Sequence, residues 1–161
     1  MSDERASGPT RLTDLEAERR GWRASGRRVV LTNGCFDLLH PGHLALLEAA
    51  RREADLLVVA LNSDASVRHL KGADRPVLSE AERAETLLAF DAVDRVVIYD
   101  EPTPIAVVRA LQPDVLVKGA DWAADEIVGG PEVEAYGGRV VRVNLLPGRS
   151  TSALIDRIRR P

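Results

Sequence analysis

Thr32-Asn33-Gly34-Cys35-Phe36-Asp37-Leu38-Leu39-His40-Pro41-Gly42-His43 joins a short apolar run, Val29-Val30-Leu31, to an amphipathic segment carrying Leu44, Leu46, Leu47 and Ala50. The run is rich in β-branched residues, is entered through Arg27-Arg28 and is bounded by Gly26 and by Asn33-Gly34, which is the pattern of a buried strand. Proline suits the first helical position, where its missing N–H would have no partner anyway, so a helix is expected to start near Pro41 with His40 and His43 flanking that start. Such a turn offers free backbone N–H groups, the positive end of a helix dipole and, at Gly42, room for an anion to approach the backbone. Two imidazoles spaced i, i+3 add donors that can converge on one phosphate. The stretch reads as a nucleotide-phosphate site.

Two other readings of the same residues exist. Cys35, Asp37, His40 and His43 can all ligate zinc, but their spacing matches no familiar zinc pattern and Cys35 is the single cysteine of the chain. Cys35 could act as a nucleophile, yet no base is placed for it, and a buried structural thiol beside the site fits better.

Downstream, Asp55-Leu56-Leu57-Val58-Val59-Ala60-Leu61-Asn62 is a nearly continuous apolar run, as in a strand covered on both faces. Strand, helix and strand make a βαβ unit with a right-handed crossover, so the expected fold is a single Rossmann-like three-layer α/β/α domain with a mainly parallel sheet. No G-x-G-x-x-G follows the first strand, which argues against the dinucleotide-binding version. Later runs repeat the pattern. Ser79-Glu80-Ala81-Glu82 is a capping box opening a helix through Leu87, Leu88 and Phe90. Val93 to Tyr99 is a strand, a helix follows through Ile105, Val108 and Leu111 until Pro113-Asp114, and Val115-Leu116-Val117 is a buried strand. After a loop-rich passage around a short helix, Arg139-Val140-Val141-Arg142-Val143 suits a sheet edge, and Ser150-Thr151-Ser152 opens a last helix.

Open α/β sheets bind ligands at the carboxyl ends of their strands. The polar residues delivered to that rim are Asn62-Ser63-Asp64, then Lys71 and Arg75, and then Lys118-Gly119-Ala120-Asp121-Trp122. Lys71 and Arg75 could equally be solvated cations, and His69 reads as surface. A lysine ending a buried strand, as Lys118 does, is less often decoration. Arg83 near the first turn of its helix is electrostatically misplaced, so it either meets a ligand or pairs with Glu80 or another nearby acid.

Asn33-Gly34-Cys35-Phe36-Asp37 followed by His40-Pro41-Gly42-His43 resembles the nucleotidyltransferase superfamily with an H-x-G-H signature. Within it, the stretch from about residue 27 to the C-terminus looks like the adenylyltransferase domain of the bifunctional bacterial heptose 7-phosphate kinase/heptose 1-phosphate adenylyltransferases. Leu70-Lys71-Gly72 with Arg75-Pro76, and Val117-Lys118-Gly119 with Asp121-Trp122, match segments of that family. The resemblance implies AMP transfer from ATP, with Mg²⁺, to D-glycero-D-manno-heptose 1-phosphate, releasing pyrophosphate.

It implies roles for residues as well. His40, His43 and Lys71 would be catalytic. Nucleotide binding would fall to Asn33, Gly34, Cys35, Phe36, Asp37, Gly42, Asn62, Lys118, Gly119 and Asp121, with Ser150, Thr151 and Ser152 holding the triphosphate. The substrate would meet Lys71, Arg75, Arg83, Thr103, Lys118 and Trp122, and Asp37 is the expected aspartate near Mg²⁺. Glycerol-phosphate cytidylyltransferases carry an arginine where this chain has Leu145, which weakens but leaves open a CTP-dependent alternative. An ATP-sensing module without turnover is the alternative of another class. A homodimer and a separate upstream heptose kinase are the expected partners.

At 161 residues the chain fits one domain, with residues 1–10 a flexible tail and 11–161 the nucleotidyltransferase domain including an N-terminal helix to about Arg23. Thr13 or Asp14 is the expected cap of that helix. A net charge of −3 provides no argument for a nucleic-acid or membrane partner. No signal-peptide core follows Met1, no run is long enough to span a bilayer, and the cytoplasm is the expected compartment.

Overall fold

The computed structural model describes residues 5–161. Five strands form one sheet: β1 (Val29–Gly34), β2 (Leu56–Asn62), β3 (Arg95–Tyr99), β4 (Val115–Gly119) and β5 (Arg139–Val143). Their order is β3-β2-β1-β4-β5, and every neighbouring pair is parallel. Helices α1 (Leu12–Ala24), α2 (Pro41–Arg51), α3 (Asp64–Lys71), α4 (Glu80–Ala89), α5 (Ile105–Leu111), α6 (Gly130–Ala135) and α7 (Thr151–Arg159) accompany it, with one 3₁₀ turn at Ala124–Glu126.

Alternation along β1 explains the layers. Val29 and Leu31 pack with Leu15 and Trp22 of α1, Val107, Val108 and Leu111 of α5, and Val133 of α6. Val30 faces the other way, towards Leu47 and Ala50 of α2 and Ala84 and Leu87 of α4. Residues 56 to 62 are buried throughout, as a strand covered on both faces requires. The α/β/α sandwich is therefore the expected one, and β5 is an edge strand. The chain builds β1, β2 and β3 outwards, then crosses back to place β4 on the other side of β1. The rim between β1 and β4 is thus a topological switch point, where open sheets of this kind hold ligands.

Three local details differ from the sequence reading. The helix α1 begins at Leu12 with Arg11 in the capping position and no side-chain cap, so Thr13 and Asp14 fall inside its first turn, where Asp14 pairs with Arg11. Residues 64–71, read as polar rim, form α3, whose first turn is capped by the Ser63 hydroxyl accepting from Ser66 N–H. Residues 5–10 lie outside regular structure yet are tied down by Thr10 N–H on Val96 O at 2.7 Å and by an Arg5–Asp91 pair. The expected tail also includes residues 1–4, which lie outside the described residues.

Candidate active site

The carboxyl ends of the strands open into a cavity of about 540 Å³. That falls within the range of ordinary small-molecule sites. Every expected site residue lines it except Arg83. One wall is the β1–α2 connection with Asn62, a second is Lys71 and Arg75, a third is Thr103 with residues 118–122, and the fourth is Ser150-Thr151-Ser152 at the start of α7.

The two histidines are organised by their own helix. Gly42 N–H donates to His40 Nδ1 at 3.1 Å, and His40 N–H donates to His43 Nδ1 at 3.4 Å. The rings stack with centroids 3.9 Å apart, and Phe36 lies tilted against His43 at 5.3 Å. An imidazole that accepts at Nδ1 carries its proton on Nε2, so each ring keeps an outward donor. Burial pushes the His43 pKa down to about 4, with His40 adding to the effect, and burial with Arg149 lowers that of His40. Both rings are neutral donors at physiological pH.

Gly42 does a different job from the one read in the sequence. Its N–H is engaged by His40, and the next amides, of His43 and Leu44, turn back to His40 O. The α2 terminus therefore presents imidazole N–H groups rather than free peptide N–H groups to an anion. A side chain at position 42 would collide with the His40 ring at 2.8 Å and approach Arg149 Cβ at 3.2 Å, so glycine permits that packing. Gly34 likewise lets the Phe36 ring come within 3.0 Å of where its Cβ would be, with Phe36 itself held at φ 42°.

At α7 the peptide ends remain open. Ser150 Oγ accepts from Ala153 N–H at 3.0 Å and Thr151 Oγ donates to Leu38 O at 3.2 Å, which ties the helix to the β1–α2 connection. The N–H groups of Thr151 and Ser152 have no acceptor among the described residues. Arg149 sits beside them in the cavity wall. Sequence reasoning passed over Arg149, and its signal was a cation directly before a helix-capping serine.

Lys118 Nζ donates to Asn33 O and Asn33 Oδ1 at 3.1 and 3.2 Å and lies 5.4 Å from the Trp122 ring. Burial lowers its pKa, while Asp121 opposes the shift. Asn33 Nδ2 donates in turn to Tyr99 Oη at 3.4 Å, a cavity residue the sequence did not single out. Cys35 is held near Asn62 at 3.9 Å, and burial raises its pKa, which disfavours the thiolate a nucleophile needs.

Two expected roles are corrected. Asp37 was expected near Mg²⁺, but its carboxylate is fully enclosed and accepts from Arg75 Nε at 2.9 Å, Val77 N–H at 2.8 Å and Leu78 N–H at 2.9 Å. Burial alone would raise its pKa, and these three donors outweigh burial and hold it below the ordinary range. With both oxygens engaged and the side chain enclosed, it does not fit a metal ligand. No group of three or more His, Cys, Asp or Glu is placed to hold a metal among the described residues, so the four residues of the zinc reading do not converge. Arg83, expected at the substrate, is buried and donates to Cys35 O, Asn62 O, Leu78 O and Asp64 Oδ1 at 2.7 to 3.1 Å. Its cation is matched by Asp64, the nearby acid, rather than by Glu80 or a ligand.

Comparison with known proteins points the same way. The family model described as cytidylyltransferase-like matches residues 31–145. Among curated relatives, the bifunctional protein HldE of Acidiphilium cryptum is 57% identical over 93% of this chain, and that of Geotalea uraniireducens 55% over 92%. The chain spans about a third of the length of these relatives, 31% and 30%. Among solved structures, a lipopolysaccharide core biosynthesis protein from Thermoplasma volcanium superposes with TM-score 0.65 at 28% identity, covering 75% of this chain and 99% of that one. Pantoate-beta-alanine ligase from Francisella tularensis shares the fold, with TM-score 0.64 at 13% identity over 91% of this chain and 69% of that one. With its paired histidines at the switch point of a parallel sheet, and with the matching model covering most of its length, the chain belongs to the cytidylyltransferase-like family of nucleotidyltransferases.

Proposed function

We propose that the chain transfers AMP from ATP to D-glycero-D-manno-heptose 1-phosphate, giving ADP-heptose and pyrophosphate. The observation that carries this reading is the convergence of the His40 and His43 donors, the cations Lys71, Lys118 and Arg149, and the open N-terminus of α7 on one cavity. The similarity to bifunctional HldE proteins, together with the Leu-Lys-Gly and Lys-Gly-x-Asp-Trp segments, supports ATP and a heptose phosphate over CTP and glycerol phosphate. Leu145 in the cavity wall supplies an apolar surface where cytidylyltransferases of glycerol phosphate have a cation.

An oxygen of the sugar 1-phosphate attacks the α-phosphorus in line, a new P–O bond forms, the bond to the β-phosphate bridging oxygen breaks, and its electron pair leaves with pyrophosphate. No covalent enzyme intermediate is needed. Catalysis is positioning plus stabilisation of charge growing on nonbridging and leaving oxygens. His43 and His40 donate through Nε2 to those oxygens. Lys71, Arg149 and the α7 amides hold the β and γ phosphates, Asn33 aims Lys118 at the acceptor phosphate, and Thr103 and Trp122 meet the sugar.

Mg²⁺ would accompany the triphosphate, with phosphate oxygens and water as its main ligands, since the described residues offer no carboxylate cage. A heptose kinase, on a separate chain or elsewhere in a longer protein, would act upstream of this reaction. No helix of the described residues is long and apolar enough to cross a membrane. A cytoplasmic homodimer is part of the proposal, carried over from the family resemblance.

The test is pyrophosphate release with Mg²⁺, crossing ATP, CTP, GTP and UTP against heptose 1-phosphate, mannose 1-phosphate and glycerol 3-phosphate. Turnover confined to ATP with heptose 1-phosphate is expected. Turnover with CTP and glycerol 3-phosphate would overturn the substrate assignment, and ATP binding with no product in any combination would favour a sensing module.

A further inference from the structure

Asp37 and Arg83 grip the same short segment from opposite sides. Leu78 gives its N–H to Asp37 Oδ1 at 2.9 Å and its carbonyl to Arg83 Nε at 3.1 Å, while Arg83 also holds Cys35 O, two residues before Asp37. The β1–α2 connection and the 75–78 segment are thereby bound to each other through two enclosed side chains. Cys35, Asp37 and Arg75 of this cluster all line the cavity, and of the Arg75–Asp37 pair only Arg75 keeps exposed side-chain surface. It uses only Nε on Asp37, and its two terminal nitrogens have no acceptor among the described residues although the side chain is only 13% exposed.

A guanidinium anchored at Nε has one torsional position left for its terminal N–H groups, and that fork matches a phosphate in bidentate geometry. We infer that Asp37 is a positioning residue: it aims Arg75 at a substrate phosphate and holds the 75–78 segment that carries it. This rests on the nucleotidyltransferase reading of the cavity. Asp37 itself touches no substrate. The phosphate belongs either to the nucleotide or to the sugar, and the two sources are separable.

The experiment uses the full chain with Asp37→Asn, Arg75→Ala and the double variant. Calorimetry measures binding of inorganic tripolyphosphate in one arm and of mannose 1-phosphate in the other, and hydrogen exchange follows the Val77 and Leu78 amides. Asp37→Asn is expected to speed exchange at both amides while leaving β1 and β2 protected. It should weaken one of the two phosphates by about tenfold, as losing a hydrogen bond to a charged group does. Arg75→Ala should weaken the same phosphate equally with the amides still protected, and the double variant should be no weaker than Arg75→Ala alone, because the two act as one unit.

Both phosphates binding Asp37→Asn within about twofold of wild type would overturn the inference. So would losses that multiply in the double variant, since independent sites add in free energy. Should Asp37→Asn fail to fold, Arg75→Ala alone decides: normal binding of both phosphates overturns the inference. Absence of heptose transfer alongside these binding results would remove the proposed acceptor and leave the role of Asp37 standing.

Discussion

His40 and His43 lie within six residues of Asp37, and Arg83 lies beneath the same connection, yet the two polar groups have opposite bond inventories. Each imidazole uses one nitrogen internally and keeps the other for the cavity. Asp37 and Arg83 have acceptors or donors all around them, three contacts on one and four on the other, and neither is open to solvent. Residue type does not separate ligands from struts here. Burial together with the hydrogen bonds already made does, because a polar side chain enclosed by its own partners presents no open group to a substrate.

The contrast breaks most visibly at Arg83. Arg83→Met removes a buried cation and leaves Asp64 and three carbonyls without it, so a loss of roughly 3–5 kcal/mol in unfolding free energy is expected. Urea denaturation checks this, and a variant as stable as wild type would mean that the cluster does not hold the rim together.

The imidazole side of the comparison should show the reverse signature, a loss in rate with little in stability. For His43→Ala, kcat should fall by two to three decades, about 3–4 kcal/mol, the cost of removing one donor from a preorganised site. Pyrophosphate release on a folded variant measures it, and a rate within about threefold of wild type would remove His43 from the chemistry.

Titration sharpens the same point with the smallest effect. The His43 pKa near 4 in the folded chain lies below the usual histidine value of 6.5, so between those values the unfolded chain binds more protons than the folded one. Stability attributable to this ring is therefore complete above about pH 6.5 and is lost as pH falls towards 4. Ring-proton NMR should place the His43 midpoint near 4 and leave the ring neutral across the assay range. A midpoint at or above 6.5 would mean that burial does not depress the pKa of this ring.

Much of this architecture was legible in the chain. Continuous apolar runs such as Leu56 to Leu61, separated by helical stripes, imply a parallel sheet covered on both faces, and Pro41 marks the helix start because proline tolerates that position alone. The short helix α3 was missed because its eight residues carry four charges or imidazoles and two buried residues, Ser66 and Val67, too little apolar periodicity to register. Arg149 was missed because its neighbours in space, His40 and Gly42, are more than a hundred positions away in the chain.

The sequence by itself determined the layers, the switch point and which polar residues reach one rim, because hydrophobic periodicity and turn chemistry act over a few neighbouring residues. Only the tertiary structure decided which of those residues remain open to a ligand. Asp37, Arg83 and the Gly42 N–H have the right chemistry for a phosphate or metal site and are taken up elsewhere, by Val77 and Leu78, by Asn62 and Asp64, and by the His40 ring. For Asp37 and Arg83 those partners lie 19 to 41 positions away, while for Gly42 the claim depends on how a neighbouring ring is turned. A hydrogen bond is settled by distance and angle between folded segments, and no local pattern in the chain encodes either.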